Sequence, residues 1–163
     1  MKNKALRFLK KALPFMVFTA IALAVGALAG FFTHGSMEEF EALAKPPLSP
    51  PGWVFGVVWS VLYVLMGISA ALVWRAHGSD ERTGALVLWG IQLPVNFFWP
   101  IFFFAFEYRL LAFIWLLLLA VLVAVMIARM YRVRSAAAYI QLPYLAWLLF
   151  ALYLNMGVYL LNK

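Results

Sequence analysis

The sequence predicts an all-α integral membrane protein, built as a bundle of five transmembrane helices. Of its 163 residues 67% are hydrophobic and 12% are charged, and the mean hydropathy is +0.95. An ordinary soluble domain is roughly half apolar and about one quarter charged, so this composition is typical of a chain that lies within a bilayer. The long apolar segments do not alternate between polar and apolar residues as the strands of a membrane barrel do, and they therefore indicate helices.

Five segments are long enough to be membrane spans, because a helix needs about 20 mainly apolar residues to cross the hydrocarbon core. They lie at residues 13–32, 53–74, 85–106, 110–130 and 136–161. We expect one domain over residues 1–163, beginning with a basic cytoplasmic segment at residues 1–12. The long connection at 33–52 ends in a proline cluster, which predicts an ordered loop or short helix followed by a stiff turn.

Lysine and arginine are distributed unevenly between the two sides of the predicted bundle. The side with the N-terminus and the second and fourth connections carries ten of the 13 basic residues, and the other side carries three. Basic residues collect on the cytoplasmic side of membrane proteins, so the N-terminus is predicted in the cytoplasm and the C-terminus outside. The same distribution explains the net charge of +7 without nucleic acid as a partner.

Conventional catalytic and metal-binding residues are missing from the predicted spans. No ionisable residue lies deep inside a span, although such residues mark most proton relays and ion pathways. The sequence has no cysteine, and its two histidines, His34 and His77, fall in connections on opposite sides. We therefore expect no metal site and no required cofactor. Acid–base and nucleophilic catalysis are also not expected.

Aromatic and amide side chains recur at helical spacing on three of the predicted spans. The residues that share a face are Phe55, Trp59 and Tyr63 on the second span, Gln92, Asn96, Trp99 and Phe103 on the third, and Trp147, Ala151 and Asn155 on the fifth. Such faces can enclose a cavity for a flat apolar ligand with a few polar edges. The same pattern is also typical of plain helix packing, with amides that bond between helices and rings in the interfacial belt.

Three blocks of the sequence point to a known family. They are KPPLSPPGWVFGVVW at 45–59 with its continuation to Trp74, QLPVNFFWP at 92–100, and PYLAW at 143–147 with its continuation to Asn155. In order and spacing they resemble the TspO/translocator-protein family, also called tryptophan-rich sensory proteins or peripheral benzodiazepine receptors, over about residues 40–162. The resemblance implies a five-helix bundle, often dimeric, in a bacterial cell membrane.

The resemblance also implies a ligand pocket near the first loop. Its matching positions are Phe55, Trp59, Tyr63, Asn96, Trp99, Trp147 and Ala151. The implied function is that of a membrane receptor or carrier for tetrapyrroles, such as protoporphyrin or haem, and for isoquinoline- or benzodiazepine-type ligands. It would act in the regulation of tetrapyrrole metabolism or in stress response. Leu48 departs from the pattern, because the family usually has an aromatic residue at this loop position.

Two alternatives remain beside the receptor hypothesis. Trp59 and Trp147 match the tryptophans that are linked in bacterial members to light-dependent porphyrin breakdown, and they would be the catalytic residues of a photochemical enzyme. A structural or partner-binding membrane protein is the second alternative. A homodimer is expected, and its candidate surfaces are the small residues Gly26 and Gly30 and the series Ala120, Ala124 and Ala128, which let helices approach closely.

The predicted orientation can be tested with single cysteines, because the natural sequence has none. In intact cells Lys4→Cys is expected to be protected from a membrane-impermeant thiol reagent, and Lys163→Cys is expected to be labelled. Labelling of the first variant and protection of the second would contradict the predicted orientation.

Overall fold

The computed structural model describes the backbone of residues 2–163 and the side chains of residues 9–36 and 39–163. The side chains of Lys2, Lys4 and Arg7, in the predicted basic segment, lie outside the described part. The helices are α1 (Lys2–Thr33), α2 (Met37–Ala42), α3 (Gly52–Trp74), α4 (Asp80–Pro100), α5 (Arg109–Val133) and α6 (Ser135–Leu161). Within this part, five helices are long and apolar enough to cross a membrane. The predicted fold class is confirmed.

Two helices begin earlier than the sequence predicts. α1 is helical from Lys2 rather than from residue 13, since the basic segment contains good helix formers and no proline. α4 begins at Asp80 rather than at residue 85, because the Ser79 side chain accepts a hydrogen bond from the Arg82 N–H at 3.1 Å. Asp80 and Glu81 then stand in the first turn, where negative charge is favoured. Hydropathy detects only the apolar part of a helix and misses such polar turns.

α4 ends in a wider, π-helical turn at Ile101–Ala105. The turn follows Pro100, which has no N–H to donate and therefore leaves the ordinary helical hydrogen-bond pattern incomplete. Phe103 and Phe104, which are neighbours in this turn, are both buried. The wider turn thus lets the helix direct two adjacent rings into the bundle.

The long helices form a closed ring in the order α1, α3, α6, α5, α4, so that each contacts the next and α1 also contacts α4. α1 is the least embedded member. Only 11% of its most apolar stretch is buried inside the protein, against 33% to 44% in the other four spans. The bundle therefore has four well-packed helices and one peripheral wall.

Two glycines bring α1 directly against α3. A Cβ at Gly67 would overlap the backbone of Thr19, and a Cβ at Gly26 would overlap the ring of Tyr63. These positions therefore require glycine for close approach of the helices. Gly26 serves packing inside the bundle, so its predicted role in a dimer surface is wrong.

The alanine series on α5 divides between the core and the surface. Ala120 is buried, whereas Ala124 and Ala128 are exposed on the outer face of α5. The homodimer stays a prediction, and Ala124, Ala128 and the exposed Gly30 on α1 are the predicted surface positions that remain accessible.

A chain of hydrogen bonds, which we call the tyrosine–amide chain, joins α3, α4 and α6. Tyr63 Oη donates to Asn96 Oδ1 at 2.5 Å, Asn96 Nδ2 donates to Tyr144 Oη at 2.8 Å, and Tyr144 Oη donates to Gln92 Oε1 at 2.9 Å. All four side chains are at most 5% exposed. Because no water is present in the bilayer core to replace these bonds, the chain specifies how the three helices face one another.

The segment at residues 43–51, which we call the proline strap, crosses one end of the bundle and is held by α6. Tyr153 Oη donates to the Pro47 carbonyl at 2.8 Å. The Asn162 amide accepts from the Ala44 N–H at 3.0 Å and donates to the Ala44 carbonyl at 2.8 Å. Gly157 leaves room for Pro46, whose ring lies where a Cβ would be. The strap is therefore closed over the bundle by backbone hydrogen bonds and close packing.

Glu41 joins the two ends of the strap. Its carboxylate contacts Lys45 Nζ at 2.6 Å and accepts a hydrogen bond from the Gly52 N–H at 3.0 Å. These two hydrogen bonds, with Lys45 and with Gly52, hold the pKa of Glu41 below its usual range. Glu41 therefore connects the first part of the strap, at Lys45, to the first residue of α3, at Gly52.

The tyrosine–amide chain predicts a cost for removing its central amide. Asn96→Leu keeps the approximate volume but leaves the Tyr63 and Tyr144 hydroxyls short of partners, which is expected to lower the free energy of unfolding by about 1–3 kcal/mol for each unpaired group. Thermal unfolding in detergent measures the effect. The double variant Asn96→Leu/Tyr63→Phe removes one unpaired hydroxyl and should recover part of the loss. An unchanged unfolding temperature in Asn96→Leu would show that the chain does not stabilise the bundle.

Candidate functional site

A cavity of about 460 Å³ lies between α1, α3 and α4, and we call it the main cavity. Its volume falls within the range of about 300–1,000 Å³ that is common for small-molecule sites. Five of the seven predicted site residues line it, namely Phe55, Trp59, Tyr63, Asn96 and Trp99. The helical spacing of these residues therefore corresponds to one continuous surface.

Trp59 is the central ring of this surface. Its ring centroid lies 5.8 Å from that of Tyr63 and 5.8 Å from that of Trp99, at interplanar angles of 33° and 38°. Phe55, Tyr63 and Trp99 are buried, whereas Trp59 is only partly buried. The cavity therefore has an aromatic wall in which Trp59 offers a ring face for stacking with a flat ligand.

The main cavity is nearly apolar, and no charged side chain lines it in the described part of the chain. Thr33 and Ser60 line it, but their hydroxyls donate to carbonyls of their own helices at 2.9 and 2.7 Å. Asn96 is engaged in the tyrosine–amide chain. The indole Nε1 of Trp99 is buried without a hydrogen-bond partner, in a side chain that is 4% exposed.

Trp147 lies outside the main cavity. Phe55 stands between the two, with its ring centroid 5.8 Å from that of Trp147. Trp147 instead lines an open apolar groove between α3 and α6, together with Val57, Val61 and Pro143. The prediction that Trp59 and Trp147 line one pocket therefore does not match this arrangement, because the two residues line different spaces and the Phe55 ring lies beside Trp147 on the side of the main cavity.

Ala151 borders a third and much smaller space. This space has a volume of about 10 Å³ and is also lined by Ser49, Trp99 and Asn155. Both amide atoms of Asn155 are buried here without a partner. The seven predicted residues are thus divided between the main cavity, the outer groove and this small space below the proline strap.

Sequence reasoning missed the wall that α1 contributes. The residues of this wall are Leu23, Gly26, Ala27, Ala29, Gly30 and Thr33. They carry no aromatic or amide pattern, and their small size is equally typical of helix packing. Tyr144 was also missed as the link between the two amides of α4. Its position within the PYLAW block was the available signal.

Metal binding finds no support among the described residues, where no three histidine, cysteine or acidic side chains lie close enough to hold an ion. The main cavity can bury a flat apolar ligand and stack it against the aromatic wall. It is suited to binding rather than to proton transfer.

Known proteins match almost the whole chain. The model of the TspO/MBR family matches residues 18–161, a range that contains every residue of the main cavity. Tryptophan-rich protein TspO of Archaeoglobus fulgidus is 38% identical over 142 residues, which are 86% of this chain and 91% of its own.

Two further relatives extend the match to other groups of organisms. Translocator protein of Homo sapiens is 37% identical over 150 residues, covering 90% of this chain and 88% of its own. Protein CrtK of Rhodobacter capsulatus is 34% identical over 154 residues, which cover 91% of this chain and 92% of its own. The resemblance of the three sequence blocks is thereby confirmed, and the chain belongs to the TspO/MBR family.

Proposed function

We propose that this integral membrane protein is a receptor or carrier that binds tetrapyrroles, such as protoporphyrin or haem, in the main cavity. Isoquinoline- or benzodiazepine-type ligands would occupy the same place. The observation that carries the proposal is the uncharged cavity of about 460 Å³ with its wall of aromatic rings. A part in the regulation of tetrapyrrole metabolism or in stress response belongs to the same proposal and rests on the family resemblance.

The expected affinity is micromolar. Each ring that stacks on the ligand contributes about 0.5–1.5 kcal/mol beyond area burial, and the ring of Trp59 contacts those of Tyr63 and Trp99. A micromolar dissociation constant corresponds to about −8 kcal/mol, so burial of the ligand in the apolar cavity must supply the larger share.

Light-dependent porphyrin breakdown is the second candidate function. The observation that favours it is the contact between Trp59, Trp99 and Tyr63, three oxidisable rings on one wall of the main cavity. An excited porphyrin against this wall would take an electron from the nearest indole. Trp59 is better placed for this role than Trp147, which lies behind Phe55.

Binding is tested by titrating the purified protein with protoporphyrin in darkness and following the quenching of tryptophan emission. The parent is expected to show saturable micromolar binding. Ala29→Phe places a ring in the main cavity and should raise the dissociation constant about tenfold or more, equivalent to at least ~1.4 kcal/mol. Ala128→Phe, on the exposed face of α5, is the matched control and should bind as the parent does.

Equal binding by Ala29→Phe and the parent would place the ligand elsewhere. Absence of saturable binding in the parent itself would instead favour a structural or partner-binding role for the protein.

The photochemical candidate predicts a difference between two tryptophans. Under illumination in air, Trp59→Phe is expected to slow the loss of porphyrin absorbance strongly, because it replaces an oxidisable indole that lines the cavity. Trp147→Phe makes the same chemical change outside the cavity and should have the smaller effect. Both variants keep an apolar ring, so dark binding should fall only modestly. Equal rates in Trp59→Phe and the parent would exclude Trp59 as the electron donor.

A further inference from the structure

The exposed part of the main-cavity wall belongs to α1 and α3. Among the residues that line the cavity, the exposed ones are Leu23, Ala27, Gly30, Gly56 and Ser60. By contrast, Asn96 and Trp99, which α4 contributes, are buried. The cavity therefore reaches the outer surface of the bundle between α1 and α3, and it is closed on the side of α4.

The gap between α1 and α3 widens toward the proline strap. At one end the helices touch through Gly67 and Thr19, and then through Gly26 and Tyr63. At Gly30, further along α1, a Cβ would meet no atom within 4 Å, and the same holds at Gly56 on α3. The two helices thus separate where their small residues line the cavity.

This opening lies at the depth of the lipid. Gly30 is six residues from the end of the apolar segment Leu9–Ser36, and Gly56 is four residues from the start of Gly52–Trp74. At a rise of about 1.5 Å per residue, both lie roughly 6–9 Å inside the helix ends. The opening therefore faces one leaflet of the bilayer rather than the aqueous loops.

The end of the cavity that faces the loops is blocked. The ring of Phe40, on α2, lies 5.8 Å from the ring of Phe55 and 5.3 Å from that of Phe104, and both of these line the main cavity. Above them the proline strap is bound to α6 through Tyr153 and Asn162. A ligand that entered from water would have to break these contacts, whereas one that entered from the lipid would not.

We infer that the ligand of the main cavity enters and leaves sideways, from one leaflet of the bilayer, through the opening between α1 and α3. This inference rests on the proposed function. The ligand class it implies is a flat, mainly apolar molecule that partitions into lipid. Entry from the membrane also explains why the peripheral helix α1, rather than a buried helix, forms the outer wall of the site.

The opening is tested by placing side chains in it. Protein in lipid nanodiscs is mixed with vesicles that contain protoporphyrin, and association and dissociation rates are followed by tryptophan quenching. Gly30→Leu and Gly56→Leu are expected to lower both rates about tenfold or more, within the one to three decades over which association rates vary among variants of one site. Because Gly30 and Gly56 also line the main cavity, the association rate, rather than the dissociation constant, is the measure of entry.

Gly90→Leu is the matched control. Gly90 is exposed on α4, does not line the main cavity, and like Gly30 has no atom within 4 Å of a built Cβ. Its rates should equal those of the parent. All three substitutions replace glycine in an exposed part of a helix, where leucine has the higher helix propensity, and thermal unfolding confirms that each variant is folded.

A second variant tests the route through the loops. The pair Ala44→Cys and Asn162→Cys replaces the hydrogen bonds at the end of the strap by a disulfide in a chain that has no other cysteine. The oxidised variant is expected to bind and release protoporphyrin at the rates of its reduced form. Slower exchange on oxidation would show entry beneath the strap and overturn the inference.

The remaining outcomes separate this inference from the proposed function. If the parent binds protoporphyrin but the two glycine variants exchange it as fast as the parent does, lateral entry is overturned and the proposed function stands. If these variants release the ligand faster but bind it at the association rate of the parent, the opening is not the route of entry, and lateral entry is again overturned. If the parent does not bind, both proposals fail.

Discussion

Inside a bilayer a hydroxyl or amide has no water to bond with, so the tyrosine–amide chain determines how the bundle is assembled. Tyr63, Asn96, Tyr144 and Gln92 come from three different helices, and each satisfies the next. Any rotation of α3, α4 or α6 that separated them would leave buried polar groups unpaired, at a cost of about 1–3 kcal/mol for each group. The apolar faces of these helices specify the packing less strongly, because an apolar side chain is as stable against lipid tails as against another helix.

The candidate site depends on this constraint. Tyr63 and Asn96 line the main cavity with the same side chains that hold the helices together, and Trp59 lies one helical turn from Tyr63. The aromatic wall is therefore positioned by hydrogen bonds at its base. α1 stands outside the tyrosine–amide chain and is attached through close contacts at Gly67 and Gly26. The protein thus combines a rigid inner wall with a peripheral outer wall, which suits a site that exchanges ligand with the membrane.

The proline strap and the π-helical turn close one end of this site by different means. The strap is held through backbone groups by Tyr153 and Asn162, and the turn after Pro100 brings Phe104 toward Phe40. Prolines contribute to both, since they stiffen the strap and interrupt the regular hydrogen bonding of α4. The prolines, which in the sequence indicate helix ends and turns, therefore help to shape the cavity.

By itself the sequence determined the membrane class, the number of spans and the family. Hydropathy depends on composition along the chain, and the three sequence blocks carry the family pattern whatever the packing. Helical periodicity also placed Phe55, Trp59 and Tyr63 on one surface, because residues that share a face are set by the 3.6-residue period alone.

Only the tertiary structure decided which faces meet. Periodicity says nothing about which neighbour a face approaches, so it could not show that the Phe55 ring separates Trp147 from the main cavity. The α1 wall was equally hidden, since Gly30 becomes part of a cavity only where α1 diverges from α3. The bond between Ala44 and Asn162 joins residues 118 positions apart. Such contacts depend on side-chain volumes and polar pairing between different helices. The periodicity of a single helix carries no information about either.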